Sequence, residues 1–187
     1  EQIAASAGKG VVPLARDLLQ SETADVRQSG LRLLLRAGSS SKEAQSTLES
    51  ALKDKSVSVR VLAAYALAQK GNKAALPVLI EATRSSDSLS KQYGMLGLPL
   101  YKTKAASDAI ADAILKTPLL GRLGVQSLQR QGTADAARAL GRVLRDGPAE
   151  LKDTVRQALG RMKVPEAKKV LQEASKAKAS KVKATRE

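Results

Sequence analysis

Leucines recur along the chain at positions 34, 67, 98, 128 and 159, thirty to thirty-three residues apart. Three residues before them stand Leu31, Ala64, Met95 and Val125, with Arg156 in the last copy. Four before stand Gly30, Ala63, Gly94, Gly124 and Val155, and eight before stand Val26, Val59, Ser90, Leu120 and Leu151. Spacings of 3, 4, 7 and 8 trace one face of an α-helix, and the small residue at minus four lets a second helix approach closely. A second apolar series, Leu79, Ile110, Leu140 and Leu171, follows the first by twelve residues. In the first repeat Leu48 comes fourteen residues after Leu34, and the loop "AGSSSKEA" holds the extra length, where an insertion costs little. The pattern predicts helix A, a short turn, helix B and a linker, repeated. The turns "QKGNKA", "KTKAAS", "RQGTAD" and "RMKVPE" and the linkers "KDKS", "RSSDS" and "RDGPAE" carry the breakers and caps such a unit needs.

A helical hairpin of this size cannot bury its apolar face alone, so neighbours must stack. The predicted fold is all-α: a right-handed α-α superhelix forming a single solenoid domain of about five full hairpins. The repeats span 23–53, 54–85, 86–116, 117–146 and 147–174, after a partial repeat at 1–22 and before a basic tail at 175–187. "VVPLARDLL" (11–19) parallels "ALPVLIEA" (75–82), with Pro13 and Pro77 both early in a B helix, where proline is tolerated. Residues 1–7 then read as the end of an A helix that began upstream. In "SKQYGMLGLPLYKTK" (90–104), Gly94, Gly97 and Pro99 fall inside an A helix. Each glycine costs about 1 kcal/mol against alanine and an interior proline about 3. That helix should be short, kinked or broken, with a bend in the superhelix.

"LKDKSVSVRVLAAYALAQKGNKAALPVLIEA" (52–82) resembles the short HEAT-type repeat, in the variety named for phycobilisome-lyase subunits. The matching elements are Leu52 and Asp54, Val59-Arg60, Ala63-Ala64, Ala66-Leu67, Gly71, Ala75, Leu79 and Ile80. "LRDGPAELKDTVRQALGRMKVPEAKKVLQEA" (144–174) and "DVRQSGLRLLLRAG" (25–38) resemble it too. The resemblance implies a HEAT/ARM-like solenoid of bacterial type, usually a scaffold or adaptor that docks partners on a concave face lined by B helices. It also implies that the basic residue beginning each A helix, here Arg27, Arg60, Lys91 and Lys152, makes inter-repeat hydrogen bonds, often with a linker aspartate. Such a pair is present as Asp54/Arg60 and Asp146/Lys152. Ser21, Ser85 or Leu115 stands at the acidic position of the other repeats. No residue matches a chromophore site, so the pigment-lyase activity of some relatives does not carry over.

Composition narrows the chemistry. There is no Cys and no His, which excludes thiol nucleophiles, disulfides, Cys/His zinc sites and imidazole catalysis. Aromatics are 2% of the chain, three Tyr and no Phe or Trp, too few for base stacking on single strands. With no catalytic set visible, the sequence points away from an enzyme and calls for no cofactor or metal. No apolar run approaches the ~20 residues needed to span a bilayer. No secretory signal opens the sequence, which favours the cytoplasm, or the periplasm if a signal was removed before Glu1.

The net charge of +14 favours acidic partners. On the predicted B helices, Arg138, Arg142 and Arg145 share a face at spacings of 4 and 3, and Lys168 and Lys169 follow in the next. Side by side they would form a strip for carboxylates or phosphates, unless they are an ordinary solvated face. Tyr93 and Tyr101, flanking the disturbed helix, are further candidate contacts. Asp108 and Asp112, one turn apart with Lys104 and Lys116 on either side, read as solvated charge pairing. The functional expectation is a scaffold binding a protein partner of acidic surface along the B helices. The alternative is nucleic-acid or other polyanion binding through the C-terminal basic region. A third reading is an accessory subunit of the bilin-lyase type.

Overall fold

A computed structural model describes residues 2–37 and 41–184, with side chains over 10–37 and 41–177. Eleven α-helices and three short 3-10 turns make up the regular structure of the described residues. They group into two compact units, Glu1–Gly97 and Leu98–Glu187.

The first unit holds α1 (Gln2–Leu19), α2 (Ala24–Ala37), α3 (Lys42–Ala51), α4 (Val57–Ala68), α5 (Ala75–Ala82) and α6 (Ser88–Gly97). α1 packs on α2, α2 on α4 and α4 on α6, while α3 lies on α4 and α5 touches both α4 and α6. The repeated leucines form its core: Leu31, Leu34, Leu67 and Leu79 are all buried. Gly30 shows why the minus-four position is small. A Cβ there would stand 2.8 Å from the carbonyl oxygen of Ala15, so α2 could not lie so close to α1.

One predicted break is missing. Residues 2–19 form one continuous helix, where an A-helix end and a separate B helix were expected. Gly8 and Gly10 stand at the expected junction, and glycines weaken a helix without stopping it. Glu1, and residues 38–40 of the expected insertion loop, lie outside the described residues.

The second unit holds α7 (Lys104–Lys116), α8 (Gly121–Gln131), α9 (Ala134–Asp146), α10 (Lys152–Arg161) and α11 (Pro165–Ala184), with 3-10 turns at Leu98–Leu100, Pro118–Leu120 and Ala149–Leu151. α7, α9 and α11 are the B helices, stacked in that order, and α8 and α10 are A helices packed together across from them. Leu98, Ile110, Leu128, Leu140 and Leu159 are buried as the pattern requires. The series slips in α11, where Val170 is buried and Leu171 only half-buried. The expected basic tail continues α11 to Ala184, and residues 185–187 lie outside the described residues.

Local chemistry sets the helix ends. Ser41, Thr103 and Thr133 each accept a hydrogen bond from the amide three residues on, capping α3, α7 and α9. Gly132 takes the left-handed conformation (φ 66°) that closes α8. The disturbed A helix is short, as expected: α6 stops at Gly97 and a 3-10 turn carries Leu98, Pro99 and Leu100. Proline fits there because it cannot donate the amide hydrogen that a continuing α-helix would use.

Candidate partner-binding face

The B helices of the second unit carry the densest set of charged side chains that sequence reasoning singled out. α7 presents Lys104, Asp108 and Asp112, α9 presents Asp135, Arg138, Arg142 and Arg145, and α11 presents Glu166, Lys169 and Glu173. The capping threonines begin α7 and α9, and alanines and larger aliphatic residues on the opposite stripe hold both helices in the core.

The arrangement differs from the expected cationic strip. Arg142 reaches back to α7 and bridges both aspartates, Nη1 to Asp108 Oδ1 at 3.3 Å and Nη2 to Asp112 Oδ1 at 2.6 Å. Lys104 Nζ adds a 2.5 Å contact to Asp108 Oδ2. Arg138 bonds Asp135 Oδ1 at 2.6 Å on its own helix and lies 3.6 Å from Glu166 Oε1 on α11. Asp112, ahead of Asp108, raises the pKa of the Arg142 guanidinium, and Asp135 does the same for Arg138. Two of the three arginines are thus committed to carboxylates. Arg145, Lys168 and Lys169 are exposed, with no ion-pair partner among the described residues.

The result is a groove of about 350 Å³, lined by five basic and four acidic side chains, with Ala139 and Val170 as its apolar floor. The expected solvated pairing of Asp108 and Asp112 is only half the picture, because the arginine of the next B helix joins them. Such a surface suits a ligand that itself carries both signs. Among the described residues no group of three or more His, Cys, Asp or Glu could hold a metal.

The tyrosines divide. Tyr101 is buried and cannot meet a partner, and burial pushes its phenol pKa up. Tyr93 is half-buried, its ring tilted against Tyr65 of α4 at 5.2 Å between centroids.

The first-turn basic residues divide as well. Arg27, buried, donates from Nη1 to the carbonyls of Ser21 and Glu22 at 2.9 and 2.7 Å. Its Nε and Nη2 clasp both oxygens of Asp54 at 2.8 Å, one repeat further on. Arg60 repeats the first half of that arrangement, donating to the carbonyls of Asp54 and Lys55. So the Asp54 carboxylate serves the arginine of the preceding repeat, whereas Arg60 takes its main chain. Among the described residues the one ion-pair partner of Arg60 is exposed Glu81, at 3.9 Å. Among the described residues no bond joins Asp146 to Lys152, because Asp146 ends α9 instead of lying in a linker as Asp54 does. Lys91 makes no ion pair among the described residues.

Two features escaped the sequence reading. Buried Gln131 at the end of α8 donates to the carbonyls of Tyr101 and Thr103 and accepts from Ser107 Oγ at 2.6 Å, tying α8 to the start of α7. The cross-helix pairs Asp112–Arg142 and Arg138–Glu166 were missed too. Opposite charges one repeat period apart on successive B helices would have flagged them.

The family model for HEAT repeats matches residues 8–92. No curated protein matches the chain by sequence. Among solved structures, the complex of CpcE and CpcF of phycocyanin lyase from Nostoc sp. PCC7120 contains a chain of similar fold. The two are 20% identical with a TM-score of 0.60, over 86% of this chain and 68% of that one. The match bears out the repeat resemblance and the all-α stacked fold. It also overturns one expectation. The chain was expected not to be an enzyme, yet this architecture occurs in a lyase complex, so lack of a visible catalytic set is no ground for that exclusion. Among the described residues no helix is long and apolar enough to cross a membrane.

Proposed function

We propose that this chain is a HEAT-type scaffold that docks a protein partner on the B helices α7, α9 and α11. The observation that carries the reading is the mixed-sign groove, where Arg138 and Arg142 are already engaged by carboxylates of their own and neighbouring helices. A polyanion would have to displace those carboxylates. A protein surface carrying both charges can instead pair with exposed Arg145 and Lys169 and with Glu173 at the rim. The similar chain in the complex of CpcE and CpcF stands beside a second protein, which supports association with a protein partner as the use of the fold.

Affinity capture with crosslinking from the source cells tests this. A stoichiometric protein is expected, and Arg145→Glu with Lys169→Glu should release it while the circular-dichroism melt stays unchanged. Recovery of nucleic acid alone, or a partner indifferent to these substitutions, defeats the proposal.

A further inference from the structure

The A helices α8 and α10 form a second surface, whose groove, unlike that of the B face, holds basic side chains and no carboxylate. A groove of about 260 Å³ runs between them, over buried Val125 and Ala158. Its polar walls are Arg122, Gln126 and Gln129 from α8 and Thr154, Gln157 and Arg161 from α10. The side chains of all six make no intramolecular hydrogen bond or ion pair among the described residues, and no carboxylate lines the groove. The nearest acid in sequence, Asp153, is held by Arg156 at 2.7 Å. Arg122 stands at the start of α8 and Arg161 at the end of α10, so two unneutralised guanidinium groups mark the helix ends, with three amides and a hydroxyl between them.

We infer that this groove binds an acidic, extended polypeptide segment of a partner protein. Guanidinium forks pair with its carboxylates. The amides of Gln126, Gln129 and Gln157 each offer donors and an acceptor, and so match the alternating carbonyl and N–H groups of a peptide main chain. A phosphodiester backbone has no N–H to give those amide oxygens, and no aromatic ring lines the groove for a base to stack on. The inference takes from the proposed function only that the partner is a protein; it concerns a different face and fails or stands separately.

Fluorescence anisotropy with a labelled twelve-residue peptide of alternating Glu and Gly tests it on the whole chain. Arg122→Glu with Arg161→Glu should weaken binding about tenfold or more. Lys53→Glu with Lys73→Glu, two exposed lysines that line neither groove and whose reversal lowers net charge by the same amount, should change it less than threefold. Gln126→Leu with Gln157→Leu, at constant charge, should also weaken it severalfold. Arg122→Gln with Arg161→Gln gives a milder substitution should the reversal disturb folding. Equal loss from the lysine pair, no effect of the glutamine pair, no binding by the unmodified chain, or tighter binding of a single-stranded oligonucleotide of equal charge each overturns the inference. Release of the captured partner by the B-face substitutions, with no peptide bound by the unmodified chain, would leave the proposed function intact while overturning this one. Peptide binding without any captured partner would do the converse.

Discussion

Position 54 shows how one side chain can serve two repeats. Asp54 Oδ1 accepts from the Ser56 amide at 2.8 Å while both oxygens hold Arg27. Burial alone would raise its pKa, but Arg27 and the Ser56 amide outweigh burial and hold the carboxyl below its ordinary value. Its folded pKa is therefore lower than its unfolded one. The stabilisation is present above about pH 4 and fades as pH falls through the folded value. Asp54→Asn should cost about 2–3 kcal/mol at pH 7, and the gap to the unmodified chain should close in acid. A gap constant from pH 7 to pH 2 would show that the charge is not what matters. Serines occupy the same place in the flanking linkers. Ser21 Oγ accepts from Thr23 N, and Ser85 Oγ from Asp87 N, so the local turn survives and only the inter-repeat charge is lost. That explains why Arg27 has a carboxylate and Arg60 has only a distant one. Ser85→Asp should supply the missing partner and raise the melting temperature by a few degrees; an unchanged melt would mean that position 85 does not reach Arg60.

Helices were the easiest level to read, because the same core position recurs in each repeat and every copy repeats the signal. Leu67, Leu98, Leu128 and Leu159 are all buried to within 1%. What failed was local to single copies: the run of α1 through its glycines, and the slip from Leu171 to Val170 in α11. Glycine placement separates packing from propensity at this scale. Gly160 lies in α10, and a methyl group added there would meet nothing within 4 Å, so Gly160→Ala should stabilise by about 0.5–1 kcal/mol. Gly30→Ala meets a main-chain oxygen instead and should destabilise by about 1–3 kcal/mol despite the same gain in propensity. Denaturant melts of the two variants should move in opposite directions. If both rise, α2 is free to shift away from α1 and the close contact has no structural weight. The candidate site was harder to read than the core for a related reason. Charge type and helical face were visible for Arg138 and Arg142, but whether a charge is spare depends on the neighbouring helix, and sequence spacing along one helix does not show it.

For the molecule as a whole, the question is where the +14 goes. Residues 98–187 carry nineteen Lys and Arg against nine Asp and Glu, so most of the excess sits in the second unit. Taken by themselves, the B-helix residues point to a binding strip made of this excess. The structure neutralises much of that face and leaves unpaired cations on the A face at Arg122 and Arg161. Ion pairs and self-repulsion then respond to salt in opposite directions. Most of the pairs are exposed, such as Lys55–Glu22 and Arg156–Asp153, and contacts of that kind contribute about 0–1 kcal/mol each. Repulsion among the surplus cations acts on the folded chain as a whole and is screened over about 10 Å at 0.1 M salt. Repulsion should win. The melting temperature should therefore rise by a few degrees between about 20 mM and 500 mM sodium chloride, scanned at pH 7. A fall would mean that the pairs on α7, α9 and α11 stabilise the fold by more than their exposure suggests, and that the B face is a structural brace before it is a docking surface.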